Sequence, residues 1–398
     1  MKKSEESEDL IELEEQLFDA CQAGNLVEVK QLLQNNPQID INWQDYVGQT
    51  PFSIACENGF TEIVKLLLYD ERIDVNKGDK NNWTPFYIAC YEGHIEVVKL
   101  LLYDKRVDIN QENYYGQTPF WVACSGGYNE IVELLLNDNR VDLRKEIDFH
   151  ETPFFVACAK GHIEVMKLLL DDKECNLMKA NKNDGKTPIH IACEKGQIGI
   201  VKLLLNDKRV DDINKINNNG ETSFYLACRN GPIEVVKLLL NDERVDINKA
   251  QSEGITPFSV ACYLRRIEIV NFLLNDERVD INKADNDEQT PFYYACANGR
   301  IEIVEHLLAS GRDVHLNIEN KSGETAITIA RKRAAEKRFS ESEELFEKRK
   351  RNCENIIQLL ESFERNPNET RLTLKIQLGF AGILILTFNF FLLIYSIF

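Results

Sequence analysis

Apolar residues along this chain follow a two-part rhythm that returns every 34 or 35 residues. The window 84–103, "TPFYIACYEGHIEVVKLLLY", holds both parts. A short apolar run follows Thr-Pro and stops at a glycine. The second run, "IEVVKLLL", lays a wide apolar stripe at helical spacing. The first run predicts a short helix. Thr84 caps it through its hydroxyl, Pro85 suits a first position that needs no N–H, and Gly93 suits a left-handed helix end. The stripe predicts a second helix that must be covered along one face. A polar stretch such as "NDERVDINKA" (241–250) then leads to a glycine turn and the next Thr-Pro.

The pair Ala-Cys keeps the register of this rhythm. It begins at Ala20, Ala55, Ala89, Ala123, Ala157, Ala192, Ala227, Ala261 and Ala295, and a tenth copy keeps Ala330 with Arg331 in the cysteine's place. Nine of the eleven cysteines fill this slot, leaving Cys175 and Cys353 elsewhere. Small residues let neighbouring helices approach closely, and a buried free Cys behaves as a small hydrophobe. A slot used nine times is architecture.

With "GQTPF", "GKTPI" and "GITPF" openings and "IEVVKLLL" second helices, the chain resembles the ankyrin repeat family. That family's hallmark is Thr-Pro-Leu-His, a short helix, Gly-His, then Ile-Val-x-x-Leu-Leu. The resemblance spans residues 13–365 in ten copies, after an acidic tail over 1–12. It implies an all-α repeat solenoid of stacked helix pairs, with hairpin loops along one edge and stability that is nearly a sum over neighbours. Phe52, Phe86, Phe120, Phe154, Phe224, Phe258 and Phe292 stand in place of the family's Leu, and its His survives only as His190. Ser223 replaces a Pro and Arg265 replaces a helix-ending Gly, so a local irregularity is expected there. In the last unit the stripe resumes only at Ile356, which predicts a charged, solvated insertion over about 331–354.

Charge narrows the function. A formal net charge of −18 argues against a nucleic-acid binder, which needs a basic surface to displace counterions from phosphate. Cys158 and His162, four apart with Glu164 close behind, have the spacing of a metal pair or an activated nucleophile. However, the pair recurs only as Cys90 and His94, and other copies carry Phe60, Tyr128, Gln197 or Pro232 at the His position. A ligand set that dissolves from unit to unit is not a metal site. "ANKNDGKT" (180–187) loosely fits a phosphate loop, but Gly185 is the ordinary turn glycine and Thr187 the ordinary helix start. The chain is therefore expected to be no enzyme and to use no cofactor, metal or small-molecule substrate.

A protein partner fits the pattern better. The ankyrin resemblance implies binding through loop tips and the open side of the first helices. Early units carry Tyr46, Trp83, Tyr91, Tyr114, Tyr115 and Phe149 there, with Tyr87, Trp121 and Phe155 in the partly buried place of the family's His. Exposed aromatics gathered on one part of a surface mark an interaction patch. The alternative is that these rings simply pack between hairpins.

The C-terminal stretch belongs to another physical class. Residues 376–398, from Ile376 through Leu384 and Asn389 to Phe398, hold no charged side chain over 23 positions, and 15 of them are Leu, Ile or Phe. A helix of that length reaches roughly 34 Å, enough for a hydrocarbon core of about 30 Å. It is expected to anchor the chain by a single span, after a juxtamembrane linker over 366–375. Arg365, Arg371 and Lys375 on its N-terminal side would leave the repeats in the cytosol. The absence of basic residues after the span points to the endoplasmic reticulum. The expected function is a scaffold or adaptor holding a protein at a membrane surface. The alternative is an accessory subunit of a transport or channel assembly, with Asn389 contacting other membrane helices.

Overall fold

The computed structural model describes residues 2–379, apart from 146, 148–150, 173, 174, 339 and 340. Phe149, Leu384, Asn389 and Phe398 therefore lie outside the described residues. The described chain is all-helical and falls into two compact units, Met1–Pro188 and Ile189–Phe398. The first unit stacks five helix pairs: Lys2–Gln22 with Leu26–Asn35, Pro51–Glu57 with Thr61–Leu68, Pro85–Glu92 with Ile95–Tyr103, Pro119–Gly126 with Asn129–Leu136, and Pro153–Lys160 with Ile163–Asp171. The second holds Pro188–Glu194, whose first residue is the last of the first unit, with Ile198–Asn206, then Ser223–Asn230 and Ile233–Leu240, and Pro257–Tyr263 and Ile267–Leu274. Pro291–Ala297 with Ile301–Ala309, then Ala326–Ala335 with Glu343–Arg365, complete its pairs.

Sequence chemistry sets each first helix. The hydroxyls of Thr50, Thr84, Thr118, Thr152, Thr222, Thr256, Thr290 and Thr325 each accept the N–H three residues on, from an extended backbone. The following Phe is at most 2% exposed in all seven copies, and the Ala-Cys pairs are buried behind it. Burying a Phe fully stabilises by roughly 1.5–3 kcal/mol, so this one position carries much of each interface. The polar connecting stretch hides a second pattern. In "RVDIN" the Val and Ile alternate inward, as at Val107 with Ile109 and Val279 with Ile281, all buried.

The expected irregularity falls elsewhere than at Ser223 and Arg265. Thr222 caps its helix with Ser223 in the proline's place, and Arg265 adopts the glycine's own left-handed turn at φ 60°. Gly231 is the departure, extended at φ −75° and ψ 163°. Pro232 follows it, and a residue before proline is pushed to extended backbone.

Two C-terminal expectations are corrected. The insertion is not solvated throughout. The Arg349 guanidinium is 7% exposed, held 2.6 Å from the Glu341 carboxylate and donating to the carbonyls of Arg333 and Glu336, while Cys353 and Ile356 are buried. Nor is 366–375 a linker. Pro367–Gln377 is a helix, opened by the Asn366 side chain, that buries Thr370 and Leu374 and sends Arg371 Nε to the Leu308 carbonyl, 3.2 Å away. Ile376, expected to open the span, ends that helix instead, and Gly379 then turns left-handed at φ 76°. Among the described residues no helix is long and apolar enough to cross a membrane.

Candidate binding surface

Hairpin tips are built by local side chains before they pair. Asp45, Asp79, Asn113, Asn217, Asp285 and Asn320 each accept two backbone N–H groups within their own turn, at positions two and four residues on. Tips then join edge to edge by one backbone bond per step, Lys80 N to Val47 O and Tyr114 N to Asn81 O in the first unit. Tyr46, Tyr114 and Tyr115 stand on these tips, 85%, 72% and 62% exposed.

The aromatic residues in the family's His place serve the stack. Tyr87 is fully buried and its hydroxyl donates to Gln117 Oε1 at 3.0 Å; Trp121 is 7% exposed and its Nε1 donates to the Glu151 carbonyl at 3.0 Å. In the second unit His190 and Tyr293 make the corresponding bonds to the Glu221 carbonyl and the Glu324 carboxylate. Each reaches the residue that precedes the next capping Thr. Of the residues expected to meet a partner, Tyr87 is thus wholly committed to the interior and Trp121 shows only an edge.

Tyr91 is the exposed member of the cluster. Its ring lies 5.1 Å from that of Trp83 and stacks 6.4 Å from that of Tyr87, with 45% of the residue in solvent. Beside it runs an open groove of about 620 Å³ lined by Tyr91, Glu92, Gln117, Trp121, Tyr128 and Lys160. Tyr128 lies across Gly93, where an added Cβ would come within 2.5 Å of the ring. Only a glycine fits beneath it. Tyr128 was visible in the sequence at the Gly-His position, yet nothing there marked it as part of the aromatic set.

Of the groove's charged lining residues Glu92 is acidic and Lys160 basic, and Glu57 lies near enough to Glu92 for their charges to interact. Burial holds the Glu57 carboxyl above its ordinary range, and the negative charges of Glu92, Asp79 and Asp45 push it further against a hydrogen bond from Gln49. Burial and the Glu92 charge likewise raise the Tyr128 phenol.

The residues with catalytic or metal spacing are engaged in packing. Cys158 is fully buried with its Sγ donating to the Pro188 carbonyl at 3.0 Å, and His162 Nε2 meets the Ser125 carbonyl at 2.9 Å. His94 makes the same contact with the Glu57 carbonyl at 2.7 Å. These imidazoles complete the open end of the preceding first helix. Burial pushes the repeat thiols up, that of Cys21 to about 12 and those of Cys90, Cys228 and Cys262 further, which keeps them protonated and poor nucleophiles.

Stacked helix pairs, self-built tips and an exposed aromatic groove define a tandem-repeat protein of the kind that offers a preformed surface to other proteins. A family model described as ankyrin repeats in three copies matches six overlapping stretches: 17–113, 71–147, 106–179, 173–251, 209–285 and 243–318. The chain belongs to the ankyrin repeat family. No curated protein matches it.

Proposed function

We propose that this chain is a non-catalytic scaffold that captures a protein partner on the first unit and holds it at a membrane. The observation that carries the reading is the Tyr91–Tyr128 groove, with Tyr46, Tyr114 and Tyr115 exposed on tips of the same unit. Single exposed hydrophobics are ordinary on a surface; a gathered set of Tyr beside an open groove is the composition of an interface centre. Partner capture by the full chain should be abolished by Tyr91→Ala with Tyr115→Ala while unfolding remains as cooperative as before. Unchanged capture would remove this surface from consideration.

Membrane attachment rests on residues 380–398, which carry no charged side chain over 19 positions and would make a helix of about 28 Å. Arg365, Arg371 and Lys375 precede them and favour a cytosolic position for the repeats. Alkaline carbonate extraction, comparing the full chain with one stopped after Gly379, tests this part. That end point spares the helix Pro367–Gln377, which packs on the last repeats. Retention in the pellet by the full chain alone supports an anchor, and equal extraction of both refutes it.

A further inference from the structure

The first unit concentrates the molecule's negative charge. Residues 1–188 carry 34 Asp and Glu against 19 Lys and Arg, a net −15, which leaves −3 for residues 189–398. The two units also differ at one repeated position, the residue that closes the open end of the preceding first helix. In the first unit it is Phe60, His94, Tyr128 or His162. In the second it is Gln197, Pro232, then Arg266, whose Nε donates to the Arg229 carbonyl, and Arg300, whose Nε donates to that of Tyr263. Arg265 is added beside them, paired to Glu302. This position is aromatic in every one of these first-unit copies and cationic in the last two of those in the second.

On the reading that the groove is the docking surface, we infer that its partner presents a basic segment, with Lys or Arg side chains set over the rings of Tyr91 and Tyr128 and paired to Glu92 and Glu57. Aromatic faces attract cations, and carboxylates around them add directed ion pairs. Lys160, exposed at the far end of the groove, limits the cationic stretch to the part that Tyr91 and Glu92 command. A free acidic segment would meet the charge of Glu92, with Glu57 close by, and be repelled. The surrounding charge of −15 speeds encounter with a basic ligand and repels an acidic one.

The test uses the full chain in neutral detergent and three labelled twelve-residue peptides of equal apolar content, carrying Lys and Arg, Gln, or Glu at the same positions. Binding is read by fluorescence anisotropy at two salt concentrations. The basic peptide should bind best, and Glu57→Gln with Glu92→Gln should weaken it by about tenfold. Glu71→Gln with Glu133→Gln, which removes the same charge from exposed positions on or just after second helices, should change binding by less than about twofold. Tyr91→Ala should weaken it at least as much as the Glu57 and Glu92 changes, with unfolding still a single cooperative transition. Equal losses from the two glutamate pairs would show diffuse charge attraction and overturn the inference. If the Gln or Glu peptide binds best and Tyr91→Ala removes it, the groove stands as the docking surface and the basic class falls. Binding indifferent to both Tyr91→Ala and Tyr128→Ala overturns the inference and the surface together.

Discussion

Single residues show where the repeat is tuned. Glu288 occupies a tip position that Gly48, Gly116, Gly220 and Gly254 fill elsewhere, and it takes the same left-handed backbone at φ 63°. A residue with a Cβ is strained there, whereas glycine is not. Glu288→Gly should raise stability by about 1 kcal/mol, read as a shift in urea midpoint at constant slope. Asn82, left-handed at φ 62°, fills the equivalent place with a side chain that tolerates it. Ser223 is the opposite case: its backbone is already that of a first helical turn, and its hydroxyl is buried without a partner. Ser223→Pro restores the residue used by most other units and removes an unsatisfied polar atom. It should stabilise by about 0.5–1 kcal/mol, and a fall in the unfolding midpoint would contradict that account.

At the level of elements, the loop "NDERVDIN" holds the repeats in register through side chains. In each of Asp70–Arg72, Asp104–Arg106, Asp138–Arg140, Asp242–Arg244 and Asp276–Arg278 the carboxylate grips the guanidinium at 2.6–2.7 Å. The same guanidiniums donate to carbonyls of the preceding repeat, as Arg106 does to Leu68 and Arg278 to Leu240. Each such Asp is held below its usual range, first by its hydrogen bond from the Arg. Beside these clasps runs an asparagine ladder. Asn248 Nδ2 donates to the Arg278 carbonyl at 2.7 Å while its Oδ1 accepts from Asp280 N at 2.8 Å, and Asn42, Asn76, Asn110 and Asn214 do the same one repeat apart. The amide supplies the paired donor and acceptor that a neighbouring strand would otherwise offer. Arg144 and Met178 stand in the asparagine's place in two repeats. Asn248→Leu should cost about 1–2 kcal/mol by removing two hydrogen bonds between repeats, and amide exchange should rise at Asp280.

The last helix pair depends on one enclosed ion pair. Arg349 holds the Glu341 carboxyl down at about 2 through a direct hydrogen bond, and both side chains are largely covered, Arg349 at 7% and Glu341 at 11% exposure. Because the folded value lies below the unfolded one, the stabilisation is complete above about pH 4.5 and is lost as pH falls toward 2. Glu341→Gln should destabilise this end by about 3 kcal/mol at neutral pH, since it leaves a covered guanidinium unpaired. The variant's stability should then be flatter than the parent's between pH 4.5 and 2, and parallel acid curves would show the pair to be unimportant.

Across the whole molecule, the repeat was plain in the sequence because stacking demands the same small and apolar residues at every step. Thr-Pro starts, Ala-Cys pairs and the "IEVVKLLL" stripe each have a local cause, so they locate helices without any knowledge of their neighbours. The direction of side chains across an interface has no local signature. Tyr87 and Tyr91 are one helical turn apart and chemically identical, yet one is buried between repeats and the other lines the groove. The helix Pro367–Gln377 was hidden for a related reason: it buries only Thr370 and Leu374, too few positions to leave a periodic stripe.

The amino-acid order by itself determined the family and the phase of the helix pairs, since both rest on short-range preferences that recur from unit to unit. Only the tertiary structure decided which aromatics remain in solvent, how the asparagines and arginines tie one loop to the next, and that Arg349 is enclosed. Those outcomes depend on atoms brought together from 30 or more residues apart, or on the fit of an insertion against its own repeat. A pattern along the chain does not carry that information.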